Sequence, residues 1–201
     1  MPHRYRSRFG RALAVVIWVL AGLAVVAMVT QGGVDGLLRG APWAWLPALL
    51  VWAMFWRPCV VIDDGGVELV NVFRTIRLPW PSITDVDTRW ALTLHTAYGR
   101  FAAWAAPASG WQLGRRLTEQ DSREVPLEVS STGKSMRASD SPSSPAGEAA
   151  IEVRRRWQEL GDAGYLDDPR LEFDRAPVQW HFGLLAALPT LVVWAIASLL
   201  V

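Results

Sequence analysis

The sequence predicts a membrane protein with an α+β soluble insert. Three transmembrane helices accompany an antiparallel sheet of six strands, with a candidate seventh, and one C-terminal helix caps the sheet. Three observations predict this. Residues 12–30, 41–56 and 182–201 are uncharged and apolar, and they bracket a polar segment. Within that segment, residues 59–106 fall into short alternating runs separated by Gly-, Asp- and Pro-containing turns. A stripe of apolar residues at helical spacing then follows at 145–160.

The first and last stretches each hold about 20 residues, which at about 1.5 Å per residue spans a bilayer core of about 30 Å. The second stretch is shorter and needs Leu37 and Leu38 to cross. Residues 1–56 therefore read as a transmembrane hairpin with spans at about 12–30 and 37–56, and residues 179–201 as a C-terminal transmembrane helix. The first apolar stretch is too long for a typical cleaved signal and reads as a retained anchor. Arg4, Arg6, Arg8 and Arg11 precede the first span and Arg57 follows the second, whereas the intervening loop carries only Asp35 and Arg39. The positive-inside rule then places the N-terminus and 57–179 in the cytoplasm, with an external turn at QGGVDG and an external C-terminus. The expected location is the cell membrane, crossed several times.

Composition agrees with this division. Hydrophobic residues make up 51% of the 201 and charged residues 19%, almost all of the latter in the first eleven positions and in 57–175. A net charge of +1 gives no general attraction to nucleic acid. Cys59 is the only cysteine, so neither an internal disulfide nor a thiolate metal cluster can form.

The strands follow in order. CVVID (59–63) leads into Asp64-Gly65-Gly66, and VELVNV (67–72) alternates Val67 and Leu69 against Glu68 and Asn71. TIRLPW (75–80) sets Ile76, Leu78 and Trp80 on one face, and Pro79 and Pro81 force a bend there. ITDVDTR (83–89) follows. WALTLHT (90–96) points Trp90, Leu92 and Leu94 to one side, and RFAAWAA (100–106) follows Ala97-Tyr98-Gly99. Residues 107–144 read as an insertion, with a candidate seventh strand at 123–130 and a flexible Ser/Pro/Gly-rich stretch at 131–144. A helix over 145–161 starts at Ser144-Pro145 and stops at Gly161. It aligns Ala150, Val153, Trp157 and Leu160 toward a core, with Glu152, Arg155 and Glu159 on the far side. Residues 162–178 link it to the last span.

The stretch RPCVVIDDGGVELVNVFRTIRLPWPSITDV (57–86) resembles the bacterial pleckstrin-homology (PH) domain of membrane-anchored proteins from high-GC Gram-positive bacteria. The matching features are Arg57-Pro58, the Asp64-Gly65 turn, Asn71, the segment Arg74 to Arg77, Leu78-Pro79-Trp80 and Ser82-Ile83. Two spans before the domain and one after are also familiar from that group. The resemblance implies a PH-like fold, a bent seven-stranded antiparallel sheet plugged at one end by a C-terminal helix. It supplies no activity, because PH-like folds host lipid binding, peptide binding and scaffolding alike.

For function, the sequence favours a non-catalytic membrane protein whose cytoplasmic domain mediates protein interaction or assembly at the inner face. His3, His95 and His181 are scattered, and no nucleophile, phosphate-loop or metal-spacing motif occurs, so no catalytic, cofactor or metal residue is assigned. The alternative is a sensor of anionic lipid, with Arg115, Arg116, Arg154, Arg155 and Arg156 as membrane-surface contacts. Against it, segment 57–179 holds 15 basic and 18 acidic residues, a formal −3. The sheet region 57–106 has five Arg balanced by five acidic residues, with no basic cluster for an inositol phosphate. The expected partners are the bilayer, a membrane or cytoplasmic protein, and a second copy of the chain.

Overall fold

The structure, a computed structural model, describes residues 3–88, 90–107, 145–166, 171 and 173–200. The candidate strand 123–130 and the flexible stretch 131–144 lie outside the described residues.

Alternation and turn chemistry shape the sheets much as the sequence suggests. Strands β2 (Cys59–Ile62), β3 (Gly66–Val70) and β4 (Arg74–Pro79) pair antiparallel in order, with Val67 opposite Leu78 and Leu69 opposite Ile76. All four of those side chains are fully buried. The β2–β3 turn is held by Asp63, whose Oδ1 accepts from the Gly65 and Gly66 amides at 2.9 Å. Gly66 sits so close to β4 that a Cβ there would lie 2.2 Å from the Leu78 carbonyl oxygen.

Pro79 and Pro81 end the first sheet. A 3-10 turn at Trp80–Ser82 redirects the chain into β5 (Ile83–Asp87), β6 (Ala91–Thr96) and β7 (Gly99–Pro107), which form a second antiparallel sheet. The predicted meander is therefore two sheets around one core. A register shift in β5 between Ile83 and Asp85 lets Ile83 and Val86, three apart, both face inward. A second shift against β6 bends β7, whose Ala103, Ala105 and Ala106 join the common core. Trp90 departs from the predicted alternation. It lies ahead of β6 and is 82% exposed, while Leu92 and Leu94 are fully buried.

The helix α2 (Pro145–Asp162) covers the core beside β5, β6 and β7. Ala149, Ala150 and Val153 are fully buried, and Trp157 and Leu160 pack against the same core while half-buried. Helical spacing put these residues on one stripe, and the stripe docks.

Two short strands were not foreseen. β1 (His3–Tyr5) pairs with β2, and β8 (Val178–Trp180) pairs with β4, so the first sheet runs β1-β2-β3-β4-β8. Each of these strands leads directly into an apolar helix, α1 (Arg8–Val51) after β1 and α3 (Phe182–Leu200) after β8. Helix α1 reverses at Gly33, whose φ of 57° and ψ of −143° are not helical. Its two arms lie antiparallel. Trp18 Nε1 donates to the Ala48 carbonyl at 3.2 Å, and its ring lies 5.0 Å from that of Trp56. Close approach is possible because Gly36 and Gly40 face Met28; a Cβ on Gly40 would meet its Sδ at 2.3 Å. Helix α3 packs on α1, and Trp43 Nε1 donates to Ser198 Oγ at 3.2 Å. By length and composition, the helical stretch Gly10–Trp56 and the helix Phe182–Leu200 are apolar enough to cross a membrane.

Candidate functional site

Two regions of the molecule concentrate chemistry. The first is the outer face of α2. Arg155 is held by the carboxylates of Glu152, one turn before it, and Glu159, one turn after. The hydrogen bond from Arg155, with its charge, draws the Glu152 carboxyl below the ordinary glutamate range, while partial burial opposes the shift. The Arg155 guanidinium is raised by the same contacts. Arg156 reaches across to Asp64 in the β2–β3 turn and also meets Glu159 at 3.3 Å. Arg154 turns inward, and its Nη2 donates to the Val86 carbonyl of β5 at 3.0 Å. Of the three consecutive arginines, Arg154 thus turns to β5, while Arg155 and Arg156 share Glu159 and Arg156 also reaches the β2–β3 turn. Arg115 and Arg116 lie outside the described residues.

The second region is the junction between the apolar helices and the sheets. The last turn of the hairpin widens into a π-helix at Trp52–Trp56, where the Arg57 amide bonds back to the Trp52 carbonyl. Trp104 of β7 donates its Nε1 to the Met54 carbonyl there at 2.7 Å. Asn71, at the end of β3, links the two sheets: its Nδ2 donates to the Ala102 carbonyl at 2.9 Å and its Oδ1 accepts from the Trp104 amide at 2.8 Å. His181, just ahead of the C-terminal apolar helix, joins that helix to the sheet. Its Nε2 lies 2.9 Å from Thr75 Oγ1, and its Nδ1 lies 3.2 Å from the Val72 carbonyl oxygen.

Between these anchors lies a cavity of about 940 Å³. Leu50, Met54, Phe55 and Leu188 line its helix side, and Ala103 and Trp104 line its sheet side. Its lining is overwhelmingly apolar, and its one charged side chain is that of Arg74. Arg74 is exposed, stacks 5.9 Å from the centre of the Trp180 ring, and has no carboxylate partner among the described residues. Sequence reading could not find this cavity, because its walls come from segments more than a hundred residues apart. No group of three or more His, Cys, Asp or Glu suited to a metal occurs among the described residues.

Two antiparallel sheets around one core, closed by a C-terminal helix, define a PH-like domain, a class whose members bind lipids or proteins. Residues 57–128 match the family described as Bacterial PH domain. The match continues beyond β7 into the segment read from sequence as an insertion. No curated protein and no solved structure matches the chain.

Proposed function

We propose that this protein is a non-catalytic, multi-pass membrane protein whose PH domain faces the cytoplasm and engages a protein partner at the inner membrane face. The observation that carries this reading is the disposition of Arg154, Arg155 and Arg156. Arg155 and Arg156 are engaged by Glu152, Glu159 and Asp64, and Arg154 bonds a strand carbonyl, so this face offers an anionic bilayer little concentrated charge. Membrane attachment is supplied by the apolar helices, with the two arms of α1 and helix α3 as three crossings. Support for two crossings by α1 comes from β1, which lies before the hairpin yet pairs with β2 after it, so both ends of the hairpin stand on one side. The junction of Trp104 with Met54 and of His181 with Thr75 holds the domain at a fixed attitude to the helices. Such a display favours assembly with a neighbour over reversible recruitment.

The test uses the full chain in cells, with a photoreactive residue replacing exposed Trp90 or Arg100. A discrete protein adduct that survives R154A/R155A/R156A is expected. In parallel, hydrogen exchange of α2 should be the same in nanodiscs of phosphatidylcholine and of phosphatidylglycerol. Absence of an adduct, together with lipid-dependent protection of α2 that the triple variant abolishes, would make the domain a lipid sensor instead.

A further inference from the structure

The cavity at the junction has no occupant assigned by the reading above, and its chemistry points to one. About 940 Å³ is near the upper end of the range for ligand sites, about 300–1,000 Å³. The cavity opens to the surface on one side, so its apolar walls are exposed to whatever medium surrounds the junction. Water fills it poorly, because each buried water needs about two to four polar partners. The nearby polar side chains are largely committed. Ser7 caps α1 by accepting from the Gly10 amide, and Asn71 bridges to β7.

The location supplies the occupant. Leu50, Met54 and Phe55 belong to the end of the hairpin, and Leu188 lies in the second turn of α3. On the membrane reading above, the cavity is therefore continuous with apolar helix surfaces that would face lipid tails, and it lies at the helix ends where tails would meet headgroups. Around it stand Phe73, Trp104 and Trp180, all partly exposed, as aromatic side chains are at a membrane interface. The exposed lining residue Arg74 places a guanidinium where a phosphate would sit, and it forms strong, charge-assisted hydrogen bonds to such a group.

We propose that this cavity is a lipid site that takes an acyl chain of a bilayer glycerophospholipid, with Arg74 on the phosphate. The proposal rests on the membrane reading given above. It differs from headgroup sensing by α2 in both place and chemistry: the chain is gripped between β7 and the helix ends, and the cationic contact is a single arginine on the β3–β4 side. The lipid completes the packing between the PH domain and the membrane helices.

The test places the full chain in phosphatidylcholine nanodiscs doped with phosphatidylglycerol that carries a diazirine on its acyl chain. After irradiation, labelled peptides are mapped by mass spectrometry. Label is expected on β7, at 102–105, as well as on α3. Leu50→Trp and Leu188→Trp, which fill the cavity from opposite walls, should each remove the β7 label and leave that on α3. Arg74→Gln should lower β7 labelling about fivefold, the effect of one nearby basic residue on an anionic lipid, while Arg100→Gln should not. Label on α3 with none on β7 overturns the lipid site and leaves the membrane reading standing. Absence of label from both overturns the two together. Label on β7 that both Trp variants leave unchanged shows lipid at the domain surface and also overturns the site.

Discussion

Trp157 offers a sharp test of how helix α2 is held. Truncating a buried aromatic costs about 3–5 kcal/mol, which is what the sequence alone would suggest for Trp157→Ala. The structure lowers that figure. Trp157 is half-buried, and its Nε1 is buried with no hydrogen-bond partner among the described residues. An unsatisfied buried donor costs about 1–3 kcal/mol. Alanine removes that penalty together with the packing, so the net loss should be about 2 kcal/mol. Trp157→Phe keeps a ring against the core and removes the orphan N–H, so it should cost less than about 1 kcal/mol or stabilise outright. Pulse proteolysis of the full chain in mild detergent across a urea series measures both. A Phe variant as unstable as the Ala variant would mean that the indole N–H is bonded. Losses below about 0.5 kcal/mol for both would put the helix off the sheet.

Three further outcomes follow from the geometry. Gly66→Ala drives a Cβ into the Leu78 carbonyl and should destabilise the first sheet by about 1–3 kcal/mol, as overpacking does; an unchanged urea midpoint would contradict the close β3–β4 approach. Glu152 has a depressed pKa in the fold, so it contributes stability above the ordinary glutamate range, and that contribution is lost as pH falls through its folded value. The stability gap between wild type and Glu152→Gln should thus close in acid, and a gap independent of pH would refute the pairing with Arg155. For topology, a reporter active only in the cytoplasm should work when fused after Leu166 and fail when fused after Val201; activity of the second fusion would reverse the proposed orientation.

The strands were legible because burial on one face writes a period of two into the sequence, and Asp64-Gly65-Gly66 and Tyr98-Gly99 punctuate it. Helix α2 was legible for the corresponding reason at a period near 3.6. The division into two sheets was half visible, since Pro79 and Pro81 demanded a bend but could not show which strands fall on each side. β1 and β8 were missed because three residues carry no periodicity, and charged or aromatic flanks of apolar stretches look like membrane anchors. The close approach of the α1 arms at Gly36 and Gly40 is written in the sequence as small residues four apart, a signal obscured by the surrounding hydrophobicity. The cavity has no local signature, because it exists only once β7, the hairpin end and α3 have met.

The pairing of β1 with β2 has a consequence for biosynthesis. In the proposed topology β1 is made before the hairpin and β2 after it, so an edge strand would wait through the insertion of both arms before its partner appears. If the hairpin inserted with a single crossing, the two strands would be stranded on opposite sides of the membrane, and β2 would be left with an open edge. An unpaired edge invites aggregation and proteolysis. The last strand, β8, closes the opposite edge only as the final helix is made. In the proposed topology the domain would thus complete its sheet only in chains whose hairpin has crossed the membrane twice.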